Sequence, residues 1–186
     1  MVPKRILTID GVGLRGVFAA AIIEQMEAVT GKRAKDIFDC FYGTSTGAIL
    51  AVGLANGMPA SELKQFYLEK GANVFEKFPF YRIIKRLLYW TYSKEHLEKE
   101  LKGVFGDKKI FDADTLLSVQ VKGALTSTAQ FFNNFPATKQ ENPEKNFPLW
   151  QIIRASTAAP TYFESEMSRY IDGGVSSYNN SSYNSF

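Results

Sequence analysis

The chain opens with a short apolar run over 5–10, "RILTID", closed by Asp-Gly, the pattern of a buried strand. The period then lengthens. Residues 15–29 read as a helix with Phe18, Ile22, Met26 and Val29 on one face and Gly31 just past its end. A second strand is predicted over 38–42, and a helix over 46–55 closed by Asn56-Gly57. Pro59 and Ser61 open a third helix reaching about residue 70, and Pro79 opens another reaching about residue 90. Ser93 caps the next, through about residue 104. "LLSVQVKGAL" alternates as a strand, "PLWQIIRASTAAP" is a helix bounded by prolines, and "RYID" is a short strand. Strands alternating with helices predict an α/β fold whose parallel sheet is covered on both faces. Ligands of such sheets gather at the carboxyl ends of strands. Asp10-Gly11, Thr44-Ser45 and Asp172-Gly173 all fall at such ends.

Composition narrows the chemistry. A chain of 186 residues with 45% hydrophobic content reads as one domain over 1–186. That length buries ~70% of the unfolded surface. No apolar run approaches the ~20 residues of a membrane span, and the first residues lack a signal-peptide pattern, so a cytoplasmic setting is the expectation. Cys40 is the single cysteine, in an apolar run, and reads as a buried inert thiol. His96 is the single histidine, which excludes multi-histidine metal sites and leaves one imidazole for acid–base work. It lies in "SKEHLEKELK", a charged helical pattern where a solvated histidine is expected. Neither metal nor cofactor is expected, and no nucleic-acid partner. The net charge is +3, unevenly placed: from Arg82 to Lys109 there are 8 basic and 4 acidic residues.

"GVGLRG", with Gly11, Gly13 and Gly16, has the spacing of a dinucleotide-binding loop, whose backbone amides hold a pyrophosphate at a helix N-terminus. Asp10 sets a carboxylate just before it, and the acids near the right distance, Asp36 and Asp39, stand before or at the start of the next apolar run instead of after it. The same amides suit an oxyanion formed only in a transition state. "GTSTG", residues 43–47, is G-x-S-x-G between a predicted strand and helix. Gly43, Thr44, Thr46 and Gly47 then form a nucleophile elbow around Ser45; the alternative is a glycine-flanked turn with a serine cap. A nucleophilic serine needs a base, and no histidine follows position 96. Asp172 in "YIDGG" remains, either as that base or as a plain Asp-Gly turn residue.

"DGVGLRG", "GTSTG", "ASTAAP" and "DGG", in this order from Ile6 to Gly174, resemble the patatin-like phospholipase family. The resemblance implies a three-layer α/β/α fold with a mostly parallel central sheet, short at the C-terminus. It implies lipid acyl hydrolysis with Ser45 as nucleophile and Asp172 as general base, followed by Gly173 and Gly174 of the Asp-Gly-Gly motif. The oxyanion loop carries over onto Gly11, Val12, Gly13, Leu14, Arg15 and Gly16, with Arg15 at the family's arginine. Val12 stands where the family usually has Gly, and a positive φ there would add strain of about 1–3 kcal/mol. The chain ends 12 residues after Gly174, where relatives continue with further helix and strand. A fragment, a minimal version and a second copy completing the sheet are the readings of that end. The expected substrate is a phospholipid or other lipid ester. The other readings are an effector or interaction protein needing an activator, a small-ester hydrolase, an acyltransferase and a nucleotide binder.

"FPFYRIIKRLLYW", residues 78–90, read as a helix, sets Phe80, Ile83, Ile84, Leu87 and Leu88 towards one face and Arg82, Lys85, Arg86 and Tyr89 towards the other, without an acid. The alternatives are a surface helix packed on the core and a helix lying on an anionic membrane, where each basic residue contributes ~1 kcal/mol. On the membrane reading, changing Arg82, Lys85 and Arg86 together to Gln weakens co-sedimentation with anionic vesicles and flattens its salt dependence. Hydrolysis of a soluble short-chain ester stays unchanged. Unaltered vesicle binding leaves the core-packing helix.

Overall fold

The computed structural model describes residues 4–74, 94–126, 128–137, 146–158 and 170–175. The helix expected from Pro79, with Arg82, Lys85 and Arg86, lies outside the described residues, as do the Ser93 cap and the His96 side chain.

Five strands form one sheet: β1 (Ile6–Ile9), β2 (Cys40–Thr44), β3 (Leu116–Gly123), β4 (Ala129–Asn133) and β5 (Tyr170–Asp172). β1, β2 and β3 run parallel in that order, as α/β alternation predicts. β4 and β5 both pair antiparallel with β3, so the sheet is mixed. β4 was not expected. β3 ends two residues earlier than its alternation suggests, and the chain doubles back through a tight connection in which the Gly123 N–H donates to the Thr128 carbonyl at 2.9 Å. Such short returns are open only to antiparallel neighbours. β2 begins two residues later than predicted because 34–37 forms a short helix first.

The helices are α1 (Gly16–Thr30), α2 (Ala34–Ile37), α3 (Thr46–Ala55), α4 (Ala60–Val74), α5 (Lys94–Phe105) and α6 (Leu149–Ser156). α3 packs on β1, β2 and β3, and α6 on β3 and β5. Every residue of α3 is buried, which explains why "TGAILAVGLA" is apolar or small on all sides. Cys40 is buried on β2 as expected, and burial pushes its thiol up to about 11, out of reach of thiolate chemistry.

α1 has the predicted extent and ends on Gly31 at φ 64°, but three of the four residues of its apolar stripe face outward, Met26 being half-buried. Phe18, Ile22 and Val29 are 69%, 64% and 84% exposed, while Gly16, Ala20 and Ile23 are buried. The inward side pairs the small residues Gly16 and Ala20 with Ile23. α1 lies against α4, and the Tyr67 ring sits so close beneath Gly16 that a Cβ there would come within 2.6 Å of it. Close approach has decided the facing, over side-chain hydrophobicity. Ile22→Ala should therefore change unfolding free energy by no more than about 0.5 kcal/mol. Ile23→Ala, one position on, should cost about 2–5 kcal/mol in the same denaturant titration.

Candidate active site

Strand register brings the candidate residues together. β2 pairs with β3 up to Thr44–Gln120, and β5 pairs with β3 from Gly123–Tyr170 down to Val121–Asp172. β4 holds the other edge of β3 through Lys122–Ala129, so β5 lies on the edge that β2 has just left. The two strands meet end to end, pointing at one another, and their next side chains converge. Ser45 Oγ donates to Asp172 Oδ2 at 2.6 Å.

Ser45 is half-buried and has φ 53° and ψ −129°, the one non-glycine residue with positive φ among the described residues. A side-chain-bearing residue held there costs about 1–3 kcal/mol and persists only where its surroundings enforce it. Part of the enforcement is the closeness of its neighbours. A Cβ on Gly47 would run into the Ile9 and Asp10 carbonyl oxygens, and one on Gly43 would come within 2.6 Å of Ala51. Both glycines of G-x-S-x-G are thus required by contact: α3 starts hard against the end of β1 and lies close on β2. Its N-terminus stands directly behind Ser45 and favours negative charge there.

The glycine loop is beside the elbow, because Ile9 pairs with Gly43 and the chain leaves β1 at Asp10. Gly13 takes φ 60° and starts a 3-10 turn, Gly13–Arg15, that runs straight into α1. Val12 has φ −127° and ψ 15°, so the feared positive φ falls on Gly13, and Val12 carries no such strain. The Arg15 N–H donates to the Val12 carbonyl at 3.3 Å, and the Gly16 N–H to the Gly13 and Leu14 carbonyls. Tyr67, buried on α4, joins the two helix starts: its ring supports Gly16 and its hydroxyl donates to the Thr46 carbonyl.

Asp172 is buried. Burial pushes its carboxyl above the ordinary carboxylate value, and the Ser45 hydroxyl and the Gly174 N–H, which donates to Oδ1 at 2.6 Å, pull it down less strongly. A carboxylate raised in this way is a better proton acceptor than one in water. Its main chain is fixed as well, the Asp172 N–H donating to the Ala158 carbonyl at 2.9 Å. Gly173 comes close to the Gln120 main chain, and Gln120 Nε2 donates to the Gly173 carbonyl at 3.3 Å.

Three contributors carry no signal that singled them out: Ser156, Gln120 and Tyr67. Ser156 lies within "ASTAAP", a segment that carries the family resemblance without a role for its serine, and Gln120 reads as an ordinary strand position.

A serine on a strand-to-helix turn at the carboxyl end of an inner strand, β2, of a mainly parallel sheet defines the class, an α/β protein with the geometry of a nucleophile elbow. The model of the patatin-like phospholipases matches residues 7–181, and the chain belongs to that family. It is 32% identical over 182 residues to an intracellular phospholipase A2 of Caenorhabditis elegans, covering 94% of this chain and 16% of that protein. It is 30% identical over 191 residues to a cGAMP-activated phospholipase of Vibrio cholerae, covering 92% and 54%. The chain therefore spans about half or less of the length of these relatives. In fold it is similar to VipD from Legionella pneumophila, with a TM-score of 0.57 at 15% identity over 92% of this chain and 46% of that one. Among the described residues, no helix is long and apolar enough to cross a membrane.

The raised carboxyl has a consequence for stability. Asp172 binds its proton more tightly folded than unfolded, so its contribution to stability is complete below about pH 3.8 and is lost as pH rises through the higher folded value. Asp172→Asn keeps the shape without the buried charge. At pH 7 the variant should melt higher than the wild type, and the gap should close as pH falls towards the ordinary carboxylate range in a thermal-melt series.

Proposed function

We propose that this chain is a lipid acyl hydrolase of the phospholipase A or lysophospholipase type, cleaving carboxylic esters of membrane phospholipids through a Ser45–Asp172 dyad. The 2.6 Å hydrogen bond from Ser45 Oγ to Asp172 Oδ2 at a strained elbow carries this reading. The names of the relatives, phospholipase A2 and cGAMP-activated phospholipase, support the substrate class.

In the proposed reaction Ser45 Oγ attacks the acyl carbon as its proton passes to Asp172 Oδ2. The tetrahedral oxyanion is held by loop amides and by the first turn of α3. Within the loop, Arg15 and Gly16 have already committed their N–H groups to the 3-10 turn, so the proposed donors narrow to Gly11, Val12, Gly13 and Leu14. Losing one such donor typically costs ~10²–10³ in rate. Collapse expels the alcohol, which takes the proton from Asp172 and leaves an acyl-Ser45 ester. Water then adds to that ester with Asp172 again accepting the proton, and a second collapse releases the fatty acid and returns the proton to Ser45. Substrate in a bilayer places the working enzyme at a membrane periphery.

The Vibrio relative, a cGAMP-activated phospholipase, favours a second reading, in which the same site works only once a regulator is bound. A fluorophosphonate probe separates the two, since a competent Ser45 is labelled without any partner.

Assayed on a panel of phospholipids and short esters, Ser45→Ala and Asp172→Asn should each abolish hydrolysis with the fold intact by circular dichroism. The double variant should lose little more than either single one, because the pair acts as a unit. His96→Ala should keep near-normal activity. A folded, inactive histidine variant would defeat the dyad.

A further inference from the structure

Ser156 closes the last turn of α6 with its side chain fully buried. Its hydroxyl faces two main-chain groups of the site. Oγ accepts the Ser45 N–H at 2.8 Å and donates to the Gln120 carbonyl at 2.6 Å. Two residues on, the Ala158 carbonyl accepts the Asp172 N–H. The stretch 156–158 therefore holds the main chains of both Ser45 and Asp172, and it ties the first of them to the sheet position, Gln120, at which β2 stops.

This placement answers a physical need. At φ 53° the Ser45 main chain sits in a costly conformation, and its N–H, at a helix N-cap, has no partner inside α3. A buried N–H without an acceptor costs about 1–3 kcal/mol. One hydroxyl supplies the acceptor and, by donating onward, is itself fixed in orientation. The direction of the Ser45 Cα–Cβ bond, and so the 2.6 Å approach of Oγ to Asp172, depends on that main-chain torsion.

We infer that Ser156 is a positioning residue for the nucleophile: its hydroxyl locks the strained Ser45 backbone so that Oγ stays in line with Asp172. The inference rests on the dyad reading. Ser156 does not touch the reacting atoms, and its own hydrogen bonds leave it no free proton to exchange with Ser45.

The test compares Ser156→Ala and Ser156→Thr with the wild type on a soluble short-chain ester, beside Ser45→Ala and Asp172→Asn. Ser156→Ala should lower kcat about 10- to 100-fold with KM within about two-fold, and slow fluorophosphonate labelling of Ser45 in proportion. The acid limb of its pH profile should keep its midpoint, since Asp172 retains its own partners. Ser156→Thr, which keeps the hydroxyl, should recover most of kcat. If the alanine variant does not fold, Ser156→Cys carries the same comparison, its thiol filling the space while hydrogen-bonding weakly. A folded Ser156→Ala or Ser156→Cys enzyme with wild-type kcat and labelling, or with its whole loss in KM, overturns the positioning role. Wild-type hydrolysis by Ser45→Ala or Asp172→Asn would instead overturn the dyad itself, and the two failures are told apart in the same assay.

Discussion

One edge of β3 is shared by two strands that approach from opposite directions, and the candidate site exists because of it. β2 can pair no further than Gln120, since β5 already occupies Val121. The chain leaving β2 must turn out of the sheet at once, and the residue at that turn is Ser45. The chain arriving along β5 must stop as well, and the residue at its end is Asp172. Neither turn is free to be gradual. The positive φ at Ser45 and the close approach of Gly173 to the Gln120 main chain are both results of two strand ends meeting within one residue of register.

The surroundings hold that collision in place from several sides. α3 starts at the turn and is buried along its whole length, so moving Ser45 would drag a fully packed helix with it. Gly47 lets that helix start against the end of β1, which also places the glycine loop next to the elbow. Tyr67 fixes the start of α1 relative to the start of α3. The strain at one residue is small beside the burial of the ten residues of α3. That difference is why a local violation of backbone preference is stable here.

Much of this was legible in the chain. Short strands ending in Asp-Gly, Thr-Ser and Asp-Gly mark the three loops that meet, and the small residues of "GTSTG" mark the elbow, because close backbone approach leaves a direct imprint on residue type. Orientation left no such imprint. "RYID" has the same alternation whether it runs parallel or antiparallel, yet only the antiparallel direction points Asp172 at Ser45. The stripe of Phe18, Ile22 and Val29 on α1 has the right period for a core face, but periodicity does not say which side faces in, and the small residues beside Tyr67 decided it. Ser156 was hidden for a related reason: its hydroxyl serves main-chain groups far away in sequence, and no local spacing encodes such a contact.

The electrostatics of a two-residue dyad differ from those of a triad with histidine. A histidine base becomes a cation as the oxyanion forms, and a carboxylate base becomes neutral. In the proposed reaction the site therefore carries one negative charge throughout, which moves from Asp172 to the oxyanion. Burial raises the energy of that charge at Asp172, and the Gly174 N–H and Ser45 hydroxyl lower it by less. Each additional donor to Asp172 would steady the resting state and weaken the base. In the same proposal the glycine loop and the N-terminus of α3 lie where the charge arrives, and their dipoles are fixed before the reaction begins. In the proposed reaction, the difference between a buried carboxylate with two donors and an oxyanion site lined by amides drives the transfer, with no imidazole to relay it.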